Sequence, residues 1–117
     1  MTAYIKNLTF DCHDALRMAG FWAAVLGSDV DEESTPEKAF LEAPGWGGPS
    51  IWFNQVPEPK AAKNRLHMDL RSLTTMAEEV ARLEGLGATT VQRGEWLTFM
   101  RDPEGNEFCV EPGPGDA

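Results

Sequence analysis

His67-Met-Asp-Leu-Arg-Ser-Leu-Thr-Thr-Met-Ala-Glu-Glu-Val-Ala-Arg-Leu-Glu-Gly-Leu-Gly87 carries two periodicities in succession. From Arg65 to Arg71 apolar and polar residues alternate, as in a strand whose two faces differ. From Thr74 to Leu86 the apolar residues Met76, Val80, Leu83 and Leu86 return at helical spacing, and Gly87 ends the helix because glycine accepts a left-handed conformation. The same order occurs earlier in the chain. Asn7 and Gly27 stand 20 positions apart, as do His67 and Gly87. Leu8 then falls on Met68, Phe10 on Leu70 and Leu26-Gly27 on Leu86-Gly87. Further along, Phe40 meets Phe99 and Pro44 meets Pro103, and a small length difference in the turn brings Trp52 onto Cys109.

Working outward, Tyr4 to Cys12 reads as a strand with a slip near Lys6. Asp14 caps a helix carrying Leu16, Ala19, Phe21, Trp22, Ala23 and Leu26. The acidic stretch 28–35 reads as a short strand or loop, Lys38 to Ala43 as a strand, Pro44 to Pro49 as a turn and Ser50 to Val56 as a strand. Strands are also expected over Ala88–Gln92, Glu95–Met100 and Glu107–Glu111, with a turn at Asp102-Pro-Glu-Gly105. The tail from Pro112 reads as frayed. The fold class is therefore α+β: two βαβββ modules over about 4–56 and 65–111, joined by a proline-bearing linker at 57–64, in one domain spanning 1–117. Neither module buries both faces of its sheet. Two sheets side by side make a curved, cup-shaped mixed sheet, with helices outside and the inner face open to a ligand.

Bulk properties narrow the partners. The formal net charge of −9 repels a phosphate backbone and an anionic membrane surface, which argues against nucleic acid and membrane binding. It attracts a cationic small molecule. No apolar run has bilayer-spanning length and the N-terminus lacks a signal-peptide pattern, so a cytoplasmic location is expected. Cys12 and Cys109 are too few for a disulfide framework and read as reduced, packed thiols.

Arg65-Leu-His-Met-Asp-Leu, the helix end Leu86-Gly87-Ala88 and Asp102-Pro-Glu-Gly-Asn-Glu-Phe resemble the second half of glyoxalase-like proteins, and Phe21-Trp-Ala-Ala-Val-Leu-Gly27 resembles their first-half helix. The resemblance covers residues 4–111 and is to the vicinal oxygen chelate superfamily, with glyoxalase I, extradiol dioxygenases and bleomycin-resistance proteins. It implies that metal-dependent members hold one divalent ion through His, Glu or Gln on the first and last strand of each half. Those positions are Asn7, Trp52, His67 and Cys109 here, and only His67 is of the expected type. Asn7 is a weak neutral donor, Trp52 cannot ligate, and Cys109 suits zinc or copper. No cofactor is therefore expected, with a divalent metal at His67 the weaker alternative.

The candidate catalytic residues are His67, as general base or residual ligand, and Glu111, which shares a strand face with Cys109. His67 equally suits a structural hydrogen bond. Candidate ligand-binding residues are Asn7, Trp46, Trp52, Asp69, Arg71, Trp96 and Cys109, the tryptophans because indole faces stack on flat or cationic ligands. Asp69 and Arg71 share the face of His67. Glu107 reads as a strand-end carboxylate in water, and Lys60, Lys63 and Arg65 as a basic patch that orders the linker or holds an anion. These residues fit a protein that binds a small organic molecule in a Trp-lined cup without a catalytic metal. The alternatives are a metal-dependent lyase, isomerase or dioxygenase, and a non-catalytic interaction domain. Exposed sheet edges and the habit of relatives suggest a homodimer.

Overall fold

The alternating run ahead of Asp14 forms strand β1 (Asn7–Cys12), and Asp14 starts helix α1 (Ala15–Leu26) because its carboxylate accepts the Arg17 N–H at 3.1 Å. Gly27 ends the helix at φ 65°. The computed structural model describes residues 1–42, 44–45 and 47–117. The chain divides into two compact units, Met1–Pro59 and Lys60–Ala117, and the division falls inside the linker expected at 57–64.

In the first unit β2 (Lys38–Leu41) and β3 (Ser50–Gln55) complete a three-stranded mixed sheet in the order β1-β3-β2. β3 runs parallel to β1 and antiparallel to β2. Leu8 and Phe10 pair with Ile51 and Phe53, so these side chains share the face that packs on α1. There Phe10 stacks between Trp22 (5.7 Å) and Phe53 (5.4 Å), and Trp22 and Phe53 are fully buried. Two expectations are corrected. β1 begins at Asn7, leaving Tyr4 and Ile5 exposed. Leu16 is exposed rather than packed. Of the short strand or loop read over 28–35, the structure shows a loop with one isolated bridge, between Val30 and Leu41. Its acidic residues favour turns over strands, and Asp31 shows why: its carboxylate accepts the Glu33 N–H at 3.1 Å.

The second unit holds the full βαβββ order. β4 (Asp69–Arg71), α2 (Met76–Leu86), β5 (Thr89–Gln92), β6 (Thr98–Arg101) and β7 (Glu107–Glu111) build a sheet in the order β4-β7-β6-β5. β4 runs parallel to β7, the others antiparallel. Val80 and Leu83 of α2 and Met100, Phe108 and Val110 of the sheet are buried. β4 is shorter than expected, so His67 precedes it, and β6 starts at Thr98 rather than Glu95. The turn before β7 is held by Asp102, whose Oδ1 accepts the N–H groups of Glu104 (3.0 Å) and Asn106 (2.9 Å).

The tail is not frayed. Pro114–Asp116 forms a short 3-10 turn, and the Asp116 carboxylate accepts the N–H groups of Met76 (2.8 Å) and Gly113 (2.9 Å). A carboxylate is favoured there by the unpaired N–H groups and dipole of a helix start. Side chains are excluded from the approach, since a Cβ on Gly115 would sit 2.7 Å from Thr75 Cγ2. Asp116→Ala is expected to lower unfolding free energy by about 0.5–2 kcal/mol. Urea denaturation should show a lower midpoint at unchanged slope.

Candidate functional site

Within each unit the sheet packs one face on that unit's own helix, and the candidate residues of strands β1, β3, β4 and β7 alternate onto the opposite face. The repeat extends to the strand register. In the first unit Thr9, Trp52 and Phe40 form one row across β1, β3 and β2. In the second unit Asp69, Cys109 and Phe99 form the matching row across β4, β7 and β6. Successive side chains alternate, so Asn7 lies one step along from Thr9 on the same face as Trp52.

The row of the first unit is aromatic. The Phe40 and Trp52 rings lie 4.4 Å apart at 47°, and the Lys38 ammonium stands 5.2 Å from the Trp52 ring centroid. This is a cation–π contact on a half-buried indole. Lys38 and Phe40 were absent from the expected site. Their period-two spacing on β2 was the available signal.

The row of the second unit is polar. His67 Nε2 lies 3.6 Å from Asp69 Oδ1, and one donor atom from each of His67, Asp69 and Cys109 falls within 4.8 Å of the others. Arg71 Nη2 donates to Glu111 Oε1 at 3.0 Å, which ties the candidate acid–base Glu111 into an ion pair. Lys63 Nζ stands 5.4 Å from the Phe99 ring centroid. Thus each unit sets a lysine over an aromatic ring of its row. Trp96 sits outside both rows, 75% exposed in the connection before β6. Trp46 lies outside the described residues.

Cys109 is 4% exposed. Burial, then the neighbouring Asp69 carboxylate and Glu111, push its thiol above the ordinary range, and Lys63 offsets part of that. The thiol therefore stays protonated near neutral pH and is a poor nucleophile.

Glu107 is not a solvated strand-end carboxylate. It is 5% exposed, 2.7 Å from Lys60 Nζ, and accepts the Asn64 N–H at 3.1 Å. Burial by itself raises its pKa. The Lys60 ammonium, the Asn64 N–H and Arg101 outweigh that and hold it below the usual glutamate range. Lys60 thus orders the start of the second unit.

The profile of the glyoxalase-like domain family matches residues 7–111. The chain belongs to this family. It is a glyoxalase-like protein of the vicinal oxygen chelate superfamily. Among solved structures it is similar to a glyoxalase/bleomycin resistance/dioxygenase family enzyme from Burkholderia phytofirmans, with 18% identity, coverage of 92% of this chain and 97% of that one, and TM-score 0.75. It is also similar to a fosfomycin resistance protein from Listeria monocytogenes solved with Mn(II) and 1S,2S-dihydroxypropylphosphonic acid, with 14% identity, coverage of 97% and 92%, and TM-score 0.72. A fosfomycin resistance protein from Mesorhizobium loti shows 17% identity, coverage of 95% and 92%, and TM-score 0.69. These likenesses are of fold. No curated protein matches.

The Mn(II) of the Listeria protein raises the question of fit. Mn(II) is a hard ion that takes oxygen and imidazole donors. The glyoxalase-like chain offers a carboxamide, an indole, an imidazole and a protonated thiol at the four positions where a family metal is expected. That set does not fit Mn(II), and no chemical step follows from such an ion.

The lowered Glu107 pKa sets a sign for pH dependence. A carboxyl that is more acidic folded than unfolded stabilises the fold above the unfolded pKa, about 4.3, and loses that stabilisation as pH falls through the folded value. Glu107→Gln should therefore lose on the order of 1–3 kcal/mol at neutral pH. It should also flatten the fall in stability below about pH 4.3, measured by denaturation across an acid series.

Proposed function

We propose that this glyoxalase-like protein binds a flat, neutral or anionic aromatic molecule on the sheet faces turned from each unit's own helix, without catalysis by a hard divalent metal. The observation that carries the reading is the Phe40–Trp52 pair with the Lys38 ammonium beside it. Paired rings offer an apolar stacking surface, and a ligand ring that adds to it gains aromatic contact. Lys38 decides the ligand's charge. An ammonium already stands over Trp52, so a second cation there meets like-charge repulsion while a carboxylate gains an ion pair. The local lysine thus reverses the preference for cations that the net charge of −9 implies. Lys63 over Phe99 repeats the arrangement in the second unit.

The reading includes four further elements. Residues 1–117 act as one domain. Asn7, His67, Asp69, Arg71, Cys109 and Glu111 supply polar contacts to the ligand. The protein works in the cytoplasm as a homodimer through its sheet edges. Among the described residues, no helix is long and apolar enough to cross a membrane.

A second reading is a metal-dependent lyase, isomerase or dioxygenase, with His67 as ligand or base. Family membership favours it, and the donor set argues against it. Metal analysis of the protein purified without chelators separates the two: stoichiometric Mn, Fe or Ni would favour the enzyme.

Titration with 2-naphthoate is expected to quench tryptophan fluorescence and raise the melting temperature, whereas a naphthylmethylammonium ion of similar size should do neither. Trp52→Phe should remove most of the quench, and Lys38→Glu should weaken naphthoate binding about tenfold, the factor that about 1.4 kcal/mol of lost ion pairing produces. Preference for the cation, or a quench that survives Trp52→Phe, would overturn the reading.

A further inference from the structure

The segment 60–64 is tied to the sheet of the second unit on both sides of Lys63. Ahead of Lys63, the Lys60 ammonium pairs with the Glu107 carboxylate at 2.7 Å and donates to the Ala62 carbonyl. After it, the Asn64 N–H donates to the same carboxylate at 3.1 Å, and the Asn64 amide donates to Asn106 Oδ1 at 3.3 Å. The ties on either side of Lys63 thus converge on Glu107. We infer that Glu107 is a positioning residue for ligand recognition: it clamps this segment so that Lys63 stands over Phe99, ready to pair with the anionic group of an aromatic ligand. This role rests on the aromatic-anion binding proposed above, to which Glu107 contributes no contact of its own.

Face, burial and charge agree on it. Glu107 stands two residues before Cys109, so both side chains project from the same face of β7, and Phe99 is the register partner of Cys109 on β6. The clamp and the ring therefore share a face, one strand apart. Glu107 is buried, whereas Lys63 is exposed and Phe99 half-buried. The holding end is enclosed, and the end that meets a ligand is open to it. The Lys63 ammonium stands 5.4 Å from the Phe99 ring centroid, and its charge reaches the middle of the row, where it acts against the rise in the Cys109 pKa.

The chemistry of the clamp fits positioning better than stability. A buried ion pair replaced by apolar side chains of similar volume is often as stable or more so, so net stability gives little reason for charges here. Charged hydrogen bonds do fix geometry. One carboxylate accepts from a side chain and from the backbone, which sets both the place and the direction of the segment. A lysine on an untethered loop would lose its freedom when a ligand arrives. Held by the clamp, Lys63 has lost much of it on folding, and binding is favoured accordingly.

Calorimetric titrations of the full chain with 2-naphthoate and with neutral 2-naphthamide test this. The ratio of the two affinities reads the preference for an anion and divides out any general loosening of the fold. Lys63→Met should lower that ratio about threefold, the weight of one partly exposed ion pair. Glu107→Gln should lower it by most of the same factor, and should have no further effect once Lys63→Met is present. Should Glu107→Gln not fold, Lys60→Met breaks the clamp from its other partner and takes its place in the cycle. In the ligand-free chain, ring-current shielding by Phe99 should move the Lys63 Hε proton resonances upfield, and Glu107→Gln should return them toward their ordinary position. Additive losses from Glu107→Gln and Lys63→Met, or an upfield shift that Glu107→Gln leaves unchanged, would overturn the positioning role while the aromatic-anion reading stands. A wild-type chain with no preference for naphthoate would overturn both.

Discussion

The backbone pairing of the two central strands, β3 and β7, sets the two rows of side chains on which the functional reading rests. Each is flanked by one parallel and one antiparallel neighbour, and that pairing decides which three side chains stand in a row. Because successive side chains alternate faces, a register slip of one residue would send Trp52 or Cys109 into the helix-packed core and bring Phe53 or Phe108 outward. The buried positions resist such a slip. Phe53 and Phe108 are almost fully enclosed, and exposing either would forfeit roughly 1.5–3 kcal/mol of burial. The apolar core on one face thus holds the chemistry of the other face in place.

The same scaffold gives two different chemistries. Trp52 and Phe40 make the row of the first unit largely aromatic, with Thr9 beside them, and Asp69, Cys109 and Phe99 make one with a carboxylate and a thiol. The lysine over an aromatic ring is common to both. A repeated architecture that differs at matched positions explains how a member of the glyoxalase-like family can lack the donor set for a hard metal while keeping the fold of a neighbour solved with Mn(II). The fold concerns the buried face, and the donors concern the other.

Much of the fold was legible in local sequence. Asp14 and Gly27 bracket α1 as their capping chemistry predicts, and Gly87 does the same at the end of α2. Strand β7 has the boundaries read from its sequence. Misreadings cluster where local pattern and tertiary context diverge. Leu16 has helical spacing but lies off the packed face, and the strand expected from Glu95 starts at Thr98, which leaves Trp96 in a loop. Composition also misled at the C-terminus. The glycines and prolines there look like a loose tail, yet the absence of a side chain at Gly113 and Gly115 lets Asp116 reach the start of α2.

Periodicity and capping are short-range effects, so the sequence by itself determined the two-part α+β order, the faces of the strands and the grouping of His67, Asp69 and Arg71 on one side. Which distant residues meet was decided only by the tertiary structure. Lys60 closes on Glu107, Lys38 covers Trp52, and Asp69 comes to lie beside Cys109. Each of these contacts joins residues on different strands or on a strand and a loop. Their encounter depends on hydrogen-bonded register and on burial, neither of which is written in any single stretch of chain. The charge environment follows the same logic: a glutamate at a strand end has ordinary acidity until burial and a lysine from the linker act on it together.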